Sequence, residues 1–173
     1  DDYPSCNLLV RKDIFFEIGG FKTNFWPGED TFLCLEIIKR NKKIVYEPDA
    51  LVFHHRRSLF LPHLKQMASY GLHRGYFVKK YPQTSLRWQY FVPSLFFLWI
   101  VFGFVASILI PVFGLIYFLS MFFYFLAVFI AAGQEREANM LFYVVSGIFL
   151  SHMTYGLFFV SGLLKPKLME EGA

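Results

Sequence analysis

Two adjacent acids, Glu29 and Asp30, follow Gly28 and open a run with helical apolar spacing, WPGEDTFLCLEIIKR over residues 26–40. A carboxylate in that place accepts hydrogen bonds from the orphan N–H groups of a first helical turn, which is what capping alone selects. A cap needs one acid. The second adds repulsion of roughly a few tenths of a kcal/mol at an exposed site, and it makes an approachable carboxylate pair beside a glycine loop. A neighbouring negative charge favours holding a proton and a helix N-terminus favours releasing it, the balance on which a general base depends.

A second cluster, His54-His55-Arg56-Arg57, ends the run ALVFHH. Side chains alternate across a strand, so His54 and Arg56 share one face, and His55 and Arg57 the other. Arginine grips phosphate oxygens in pairs and neutral histidine ligates metals, so one such face turned to a cleft suits a diphosphate or a metal–phosphate complex. A basic patch against anionic lipid is the alternative.

The elements that must position these groups are short. Residues 6–10 suit a strand, Asp13 caps the brief helix IFFEI, and the pair Gly19-Gly20 stops it. Trp26-Pro27-Gly28 is turn chemistry ahead of the helix that Glu29 and Asp30 begin. KIVYE and ALVFHH read as two strands parted by Pro48-Asp49. From Ser58 helical spacing returns, with Phe60, Leu64, Met67 and Tyr70 among Lys65, Arg74, Lys79 and Lys80. Such a basic amphipathic helix ahead of a membrane span is expected in the interface plane, and Gly71 and Gly75 are expected to divide it.

The remainder is a different material. Fourteen of the 17 Lys and Arg and nine of the 13 acids lie in residues 1–90, whereas residues 91–132 hold no ionisable side chain other than tyrosine. About 20 apolar residues cross a bilayer, so spans are expected over 91–110, 112–132 and 140–164, with Pro111 at the first break. Between Leu51 and Tyr90 there are seven Lys or Arg and no acid, a bias that places this segment on the cytoplasmic side. Three crossings then put Lys165 and Lys167 outside. The expectation is an integral protein of a plasma or inner membrane in contact with its lipids, without a nucleic-acid partner. Cys6 and Cys34 lack metal or redox spacing and read as reduced thiols. His152, inside a span, is read as bonded between helices.

Residues 6–75 resemble the C-terminal half of a family 2 glycosyltransferase of the inverting GT-A type. CNLLVRKDIFFEIGGF is similar to the family's N-x-x-x-R segment followed by G-G-F. Gly28-Glu29-Asp30 resembles its xED motif, KKIVYEPDALVFHHRR its paired strands ending in His, and QMASYGLHRG, residues 66–75, the Q-x-x-x-Y-G-x-x-R-G helix of non-processive members. The QxxRW of processive members is missed by one residue at Gln83 to Trp88, where Arg87 and Trp88 also suit headgroup anchoring.

The resemblance implies an α/β fragment of a GT-A domain over residues 1–57, an interface-helix region over 58–90, a membrane region over 91–164 and a tail over 165–173. It implies transfer of a sugar from a nucleotide-sugar donor to a lipid-linked or glycan acceptor. Asp30 is then the general base, with Glu29 supporting the loop and Gly28 allowing close approach of the sugar. His54, His55, Arg56 and Arg74 are implied to steady the leaving diphosphate. Asn7, Arg11, Gln66 and Tyr70 are implied to line the cleft, although capping or packing explains each of the four as well. A divalent metal, Mg2+ or Mn2+, is implied, held mainly by a DxD in an N-terminal half that these residues do not contain; Asp1-Asp2 has the wrong spacing, and His54 is the metal candidate within the chain. DDYPSCNLLV reads as the middle of a protein, and this piece is expected to be inactive alone. The competing class is a non-enzymatic membrane protein whose basic module binds anionic lipid or a partner.

Overall fold

The computed structural model describes residues 3–21, 23–133 and 137–171. Asp1-Asp2 and residues 134–136 of the expected charged loop lie outside the described residues. The α/β expectation is overturned: among the described residues there is no strand, and all regular structure is helical. Ser5–Asn7 forms a 3-10 turn within the first expected strand. Residues 41–58 run without helix or strand, with Val45, Tyr46, Leu51 and Val52 exposed and Phe53 fully so. A strand persists only beside another that takes up its N–H and C=O groups. Here Asn7 Nδ2 donates to the Ala50 carbonyl at 2.9 Å and Ile44 packs on the core that Leu8 and Val10 share, with no ladder among the described residues.

The helical reading of the same half holds. Helix α1 (Lys12–Ile18) ends at Gly19, whose backbone is left-handed at φ +86 and whose N–H reaches the Phe15 and Phe16 carbonyls. Helix α2 (Glu29–Lys39) buries Leu33, Cys34 and Ile37, and Ile18, Leu33 and Ile37 close a small core with Leu8, Val10 and Ile14. On its outer face Glu36 binds Lys39 at 2.8 Å and Arg40 at 2.7 Å, and those two cations hold its carboxyl below the usual range.

Helix α3 (Leu61–Lys80) is unbroken, and Gly71 and Gly75 are the reason it can pack rather than places where it divides. It lies along α8 (Ala138–Leu164). A Cβ at Gly71 would stand 2.6 Å from the Tyr155 carbonyl oxygen, and one at Gly75 would overlap the Phe159 carbonyl oxygen. From the other side a Cβ at Gly162 would overlap the Leu72 carbonyl oxygen. Three glycines thus bring two backbones together, the small-residue packing that lets helices associate without a hydrophobic driving force. Leu59 meets Gly147, His63 Nε2 bonds Ser151 Oγ at 2.9 Å and Lys79 Nζ bonds the Lys165 carbonyl at 2.6 Å, so the two helices run parallel. The glycine face of α3 is taken by α8, and Lys65 and Tyr70 remain exposed.

A short helix α4 (Pro82–Ser85) leads to α5 (Trp88–Leu98), a π-helical turn (Trp99–Gly103) and α6 (Phe104–Leu109). Helix α7 (Pro111–Ala132) starts at the proline expected to mark the break, where the missing N–H is no loss. Stretches Trp88–Leu109, Pro111–Ala132 and Ala138–Glu171 are each long and apolar enough to cross a membrane. Pro93 and Gly156 let α5 close on α8, and Phe91 stacks edge-on with Phe159 at 5.0 Å while Phe96 reaches Phe149, so α5 is antiparallel to α8. Helices α7 and α8 share the hydrogen bond Tyr124 Oη to His152 Nδ1, 3.0 Å, the interhelical role read for His152.

The C-terminal residues pack back on the ends of two earlier helices. The end of α8 returns to the start of α5 and to the last turn of α3, and Leu168 packs with Phe25, Tyr76 and Phe77. Lys165 thus lies beside Lys79, at the end of α8 that meets the start of α5, and segments packed together in this way are expected on one membrane face. Asn24→Cys and Pro166→Cys, each introduced singly with the exposed Cys6 replaced by serine, are expected to label from the same face of sealed vesicles with an impermeant maleimide; labelling from opposite faces refutes the packing. Gly75→Ala forces a Cβ into the α8 backbone and is expected to cost about 1–3 kcal/mol, seen as a lowered melting temperature in detergent, whereas Gly114→Ala, whose Cβ would make an ordinary 3.4 Å contact, is expected to leave melting unchanged or higher.

Candidate active site

The acid pair begins α2 as its sequence predicts, and the two carboxylates have separate jobs. The Glu29 side chain turns back to accept the Gly28 N–H, Oε2 at 3.0 Å, while Asp30 Oδ1 accepts the Thr31 N–H at 2.8 Å. Both acids lie in the first turn, in the positive field of the helix N-terminus, and both are half-buried. Each acid therefore satisfies one orphan N–H of the helix start, Glu29 that of Gly28 and Asp30 that of Thr31.

What holds this pair in place is an aromatic platform. Gly28 is buried at φ +140, and a Cβ there would lie 2.9 Å from the Phe77 ring and 3.4 Å from Phe25 Cβ. No other residue type fits that backbone or that gap. Phe25 packs edge-on with Phe77 at 5.1 Å and stacks with Phe32 at 5.7 Å, and Phe32 meets Tyr81 at 4.5 Å. Lys80 Nζ lies 5.2 Å from the Phe25 ring centre. The loop before α2 is thereby seated on the last turns of α3, a connection between residues some 50 positions apart in sequence that no local pattern carries.

The other expected site residues scatter. His54, His55, Arg56 and Arg57 lie on exposed irregular backbone, not on a strand, and make no hydrogen bond or ion pair with a described residue. The alternation that paired His54 with Arg56 on one face accordingly does not operate. Arg74 turns toward the connection into α5, with Nη1 3.5 Å from Ser85 Oγ and the guanidinium 4.6 Å from the Tyr90 ring centre. Its neighbour His73 is the α3 residue on the platform side, 5% exposed and 6.4 Å from the Phe25 ring centre. Gln66 Nε2 donates to Tyr70 Oη at 2.8 Å across one exposed helical turn. Asn7 tethers residue 50, and Arg11 forms a forked pair with Asp13 at 2.8 and 3.2 Å, a contact that raises the guanidinium and lowers the carboxyl from their usual ranges.

Among the described residues no three His, Cys, Asp or Glu side chains come close enough to hold a metal. His54 belongs to no such group. A depression of about 270 Å³ opens beside α1, lined by Leu8, Val10, Lys12, Phe15 and Leu33, and it does not include Asp30. Both cysteines are free, Cys34 buried in α2 and Cys6 exposed.

Comparison with known proteins adds a family. The family model described as glycosyl transferase family group 2 matches residues 5–133. The pre-mycofactocin glycosyltransferases of two Mycobacterium tuberculosis strains, CDC 1551 / Oshkosh and ATCC 25618 / H37Rv, are each 34% identical over 68 residues, which is 39% of this chain and 14% of theirs. The chain thus matches only a small part of the length of these relatives. No solved structure matches. On the geometry alone, Gly28→Ala is expected to dislodge the loop, because positive φ strains an alanine by about 1–3 kcal/mol and its methyl meets Phe77. Limited proteolysis should then cut within residues 23–30, and adding Phe77→Leu should restore protection only in part, since it relieves the clash and not the strain.

Proposed function

The chain belongs to glycosyl transferase family group 2, and from that premise we propose that Asp30 is the general base of a sugar transfer from a nucleotide-diphosphate donor to a lipid-linked or glycan acceptor. The observation that carries this reading is the placement of Asp30: it lies in the first turn of α2, in the positive field of the helix N-terminus, beside the Gly28 loop that is seated on Phe77. The Thr31 N–H engages one oxygen of Asp30 and fixes its orientation.

In the proposed step the acceptor hydroxyl attacks the anomeric carbon as Asp30 takes its proton. The bond from that carbon to the diphosphate oxygen breaks, and the configuration inverts. Removing the proton during attack raises the nucleophilicity of the oxygen at the moment a positive charge would otherwise grow on it. Charge on the departing diphosphate requires cations placed in advance. The exposed run His54 to Arg56 is the candidate source within this chain, with freedom to turn toward a bound donor because it is committed to no partner among the described residues. Asn7, Arg11, Gln66, Tyr70 and Arg74 serve in this reading as framework away from the base, since each is engaged with its own neighbours.

The basic residues of α3 and the long apolar helices that follow support a site at the membrane, on the cytoplasmic face by the charge bias. A base held there meets hydroxyls of acceptors anchored in the bilayer. Asp30→Asn in the full-length protein is expected to lower turnover by roughly 10²-fold or more while donor binding persists. Glu29→Gln keeps an oxygen for the Gly28 N–H and is expected to lose far less. Near-normal turnover by Asp30→Asn in single-turnover assays removes Asp30 from the mechanism.

A further inference from the structure

Residues 165–171, which follow α8, are outside the family match, yet they make polar contacts with the platform under Asp30. Leu168 is 3% exposed, packed into the same cluster as Phe25, Tyr76 and Phe77. Glu171 forms an ion pair with Lys80 and accepts the Tyr76 hydroxyl. Glu170 Oε1 lies 3.0 Å from His73 Nε2, and His73 Nδ1 lies 2.9 Å from the Ser69 carbonyl. Both of those partners are acceptors, so the His73–Glu170 contact holds a proton on one side or the other. Burial pushes the Tyr76 phenol up, which keeps it a donor toward Glu171.

These contacts have an address. Phe77 is the ring against which Gly28 has no room for a methyl group, Phe25 packs edge-on with Phe77, and Lys80, which Glu171 binds, also lies over the Phe25 ring. A tail that only finished α8 would have no cause to bury a leucine among residues of the α2 approach. We propose that residues 165–171 are a strap that sets the position of the Gly28–Asp30 loop, with Leu168 and Glu171 as positioning residues for the base. The proposal rests on the assignment of Asp30 above. Leu168 wedges Phe25 and Phe77 in the orientation that supports Gly28, and Glu171 keeps Lys80 over the platform. Withdrawal of the strap leaves a void between the rings, and the loop loses the surface that fixes its carboxylate.

Hydrogen exchange on the intact chain in nanodiscs, with Leu168→Ala, Leu168→Met and Glu171→Gln, tests the strap without reference to catalysis. Amides of residues 24–32 are expected to exchange about ten-fold or more faster in Leu168→Ala, as loss of a buried leucine side chain predicts, and clearly faster in Glu171→Gln. Leu168→Met, which refills the space, should restore protection, and α5 to α7 should be unaffected in all three. Unchanged exchange over residues 24–32, or an equal rise throughout α5 to α7, overturns the strap. In the full-length protein the alanine variant is expected to lower kcat by roughly ten-fold with the donor KM unchanged, the mark of a misplaced reacting group; a raised KM with normal kcat overturns the positioning role. Faster loop exchange with both constants normal would leave the strap standing and refute Asp30 as the base.

Discussion

The close approach of α3 and α8 is the constraint on which the remaining structure depends. Gly71, Gly75 and Gly162 allow backbone to meet backbone over residues 71–76 of α3, and any side chain at these points would hold the helices apart. Two consequences follow. The polar helix α3 is bound to the apolar half of the molecule by van der Waals contact and a few interhelical hydrogen bonds, His63 to Ser151 among them, in a setting where burial of apolar surface gives little drive. The parallel course of the two helices also brings their C-terminal ends to the same place, so the end of the apolar region and the end of α3 share a neighbourhood.

That neighbourhood is where the acid pair sits. The turn before α2 rests on Phe25, Phe32, Phe77 and Tyr81, rings contributed from both sides of an irregular stretch of chain. Edge-to-face contacts of this sort add about 0.5–1.5 kcal/mol per pair beyond the area they bury, and several of them acting together hold a loop whose own backbone, at φ +140 for Gly28, is not self-stabilising. A carboxylate placed on a rigid support loses little freedom on engaging an acceptor, which is the structural requirement for a base that must act at one distance and angle.

Local patterns were readable wherever the physics is local. The Gly19-Gly20 stop, the helix begun by Glu29 and Asp30, the amphipathic run of α3 and the break at Pro111 all depend on neighbours within a turn or two, and each stands where its residues predicted. The strands did not form, although Val45, Tyr46, Leu51 and Val52 have the composition for them, because a strand is a property of two segments and its pairing partner is not among the described residues. For the same reason His54 and Arg56 could be set on one face only while a strand was assumed. Gly71 and Gly75 carried a signal that local propensity misread, since a glycine in a helix weakens it in isolation and admits a partner in company.

The sequence by itself determined which segments are helical, which are apolar enough for a membrane and which acid opens α2, since spacing, charge and turn chemistry act over a few residues. Only the tertiary structure decided that Glu29 and not Asp30 serves the Gly28 N–H, that Phe77 is the floor of the loop, that His73 rather than Arg74 faces it, and that Glu170 and Glu171 return to α3. Apart from the Glu29 bond, those outcomes join residues about 50 to 100 positions apart, and such contacts are selected by the shape that two packed helices leave between them, a quantity no single stretch of chain contains.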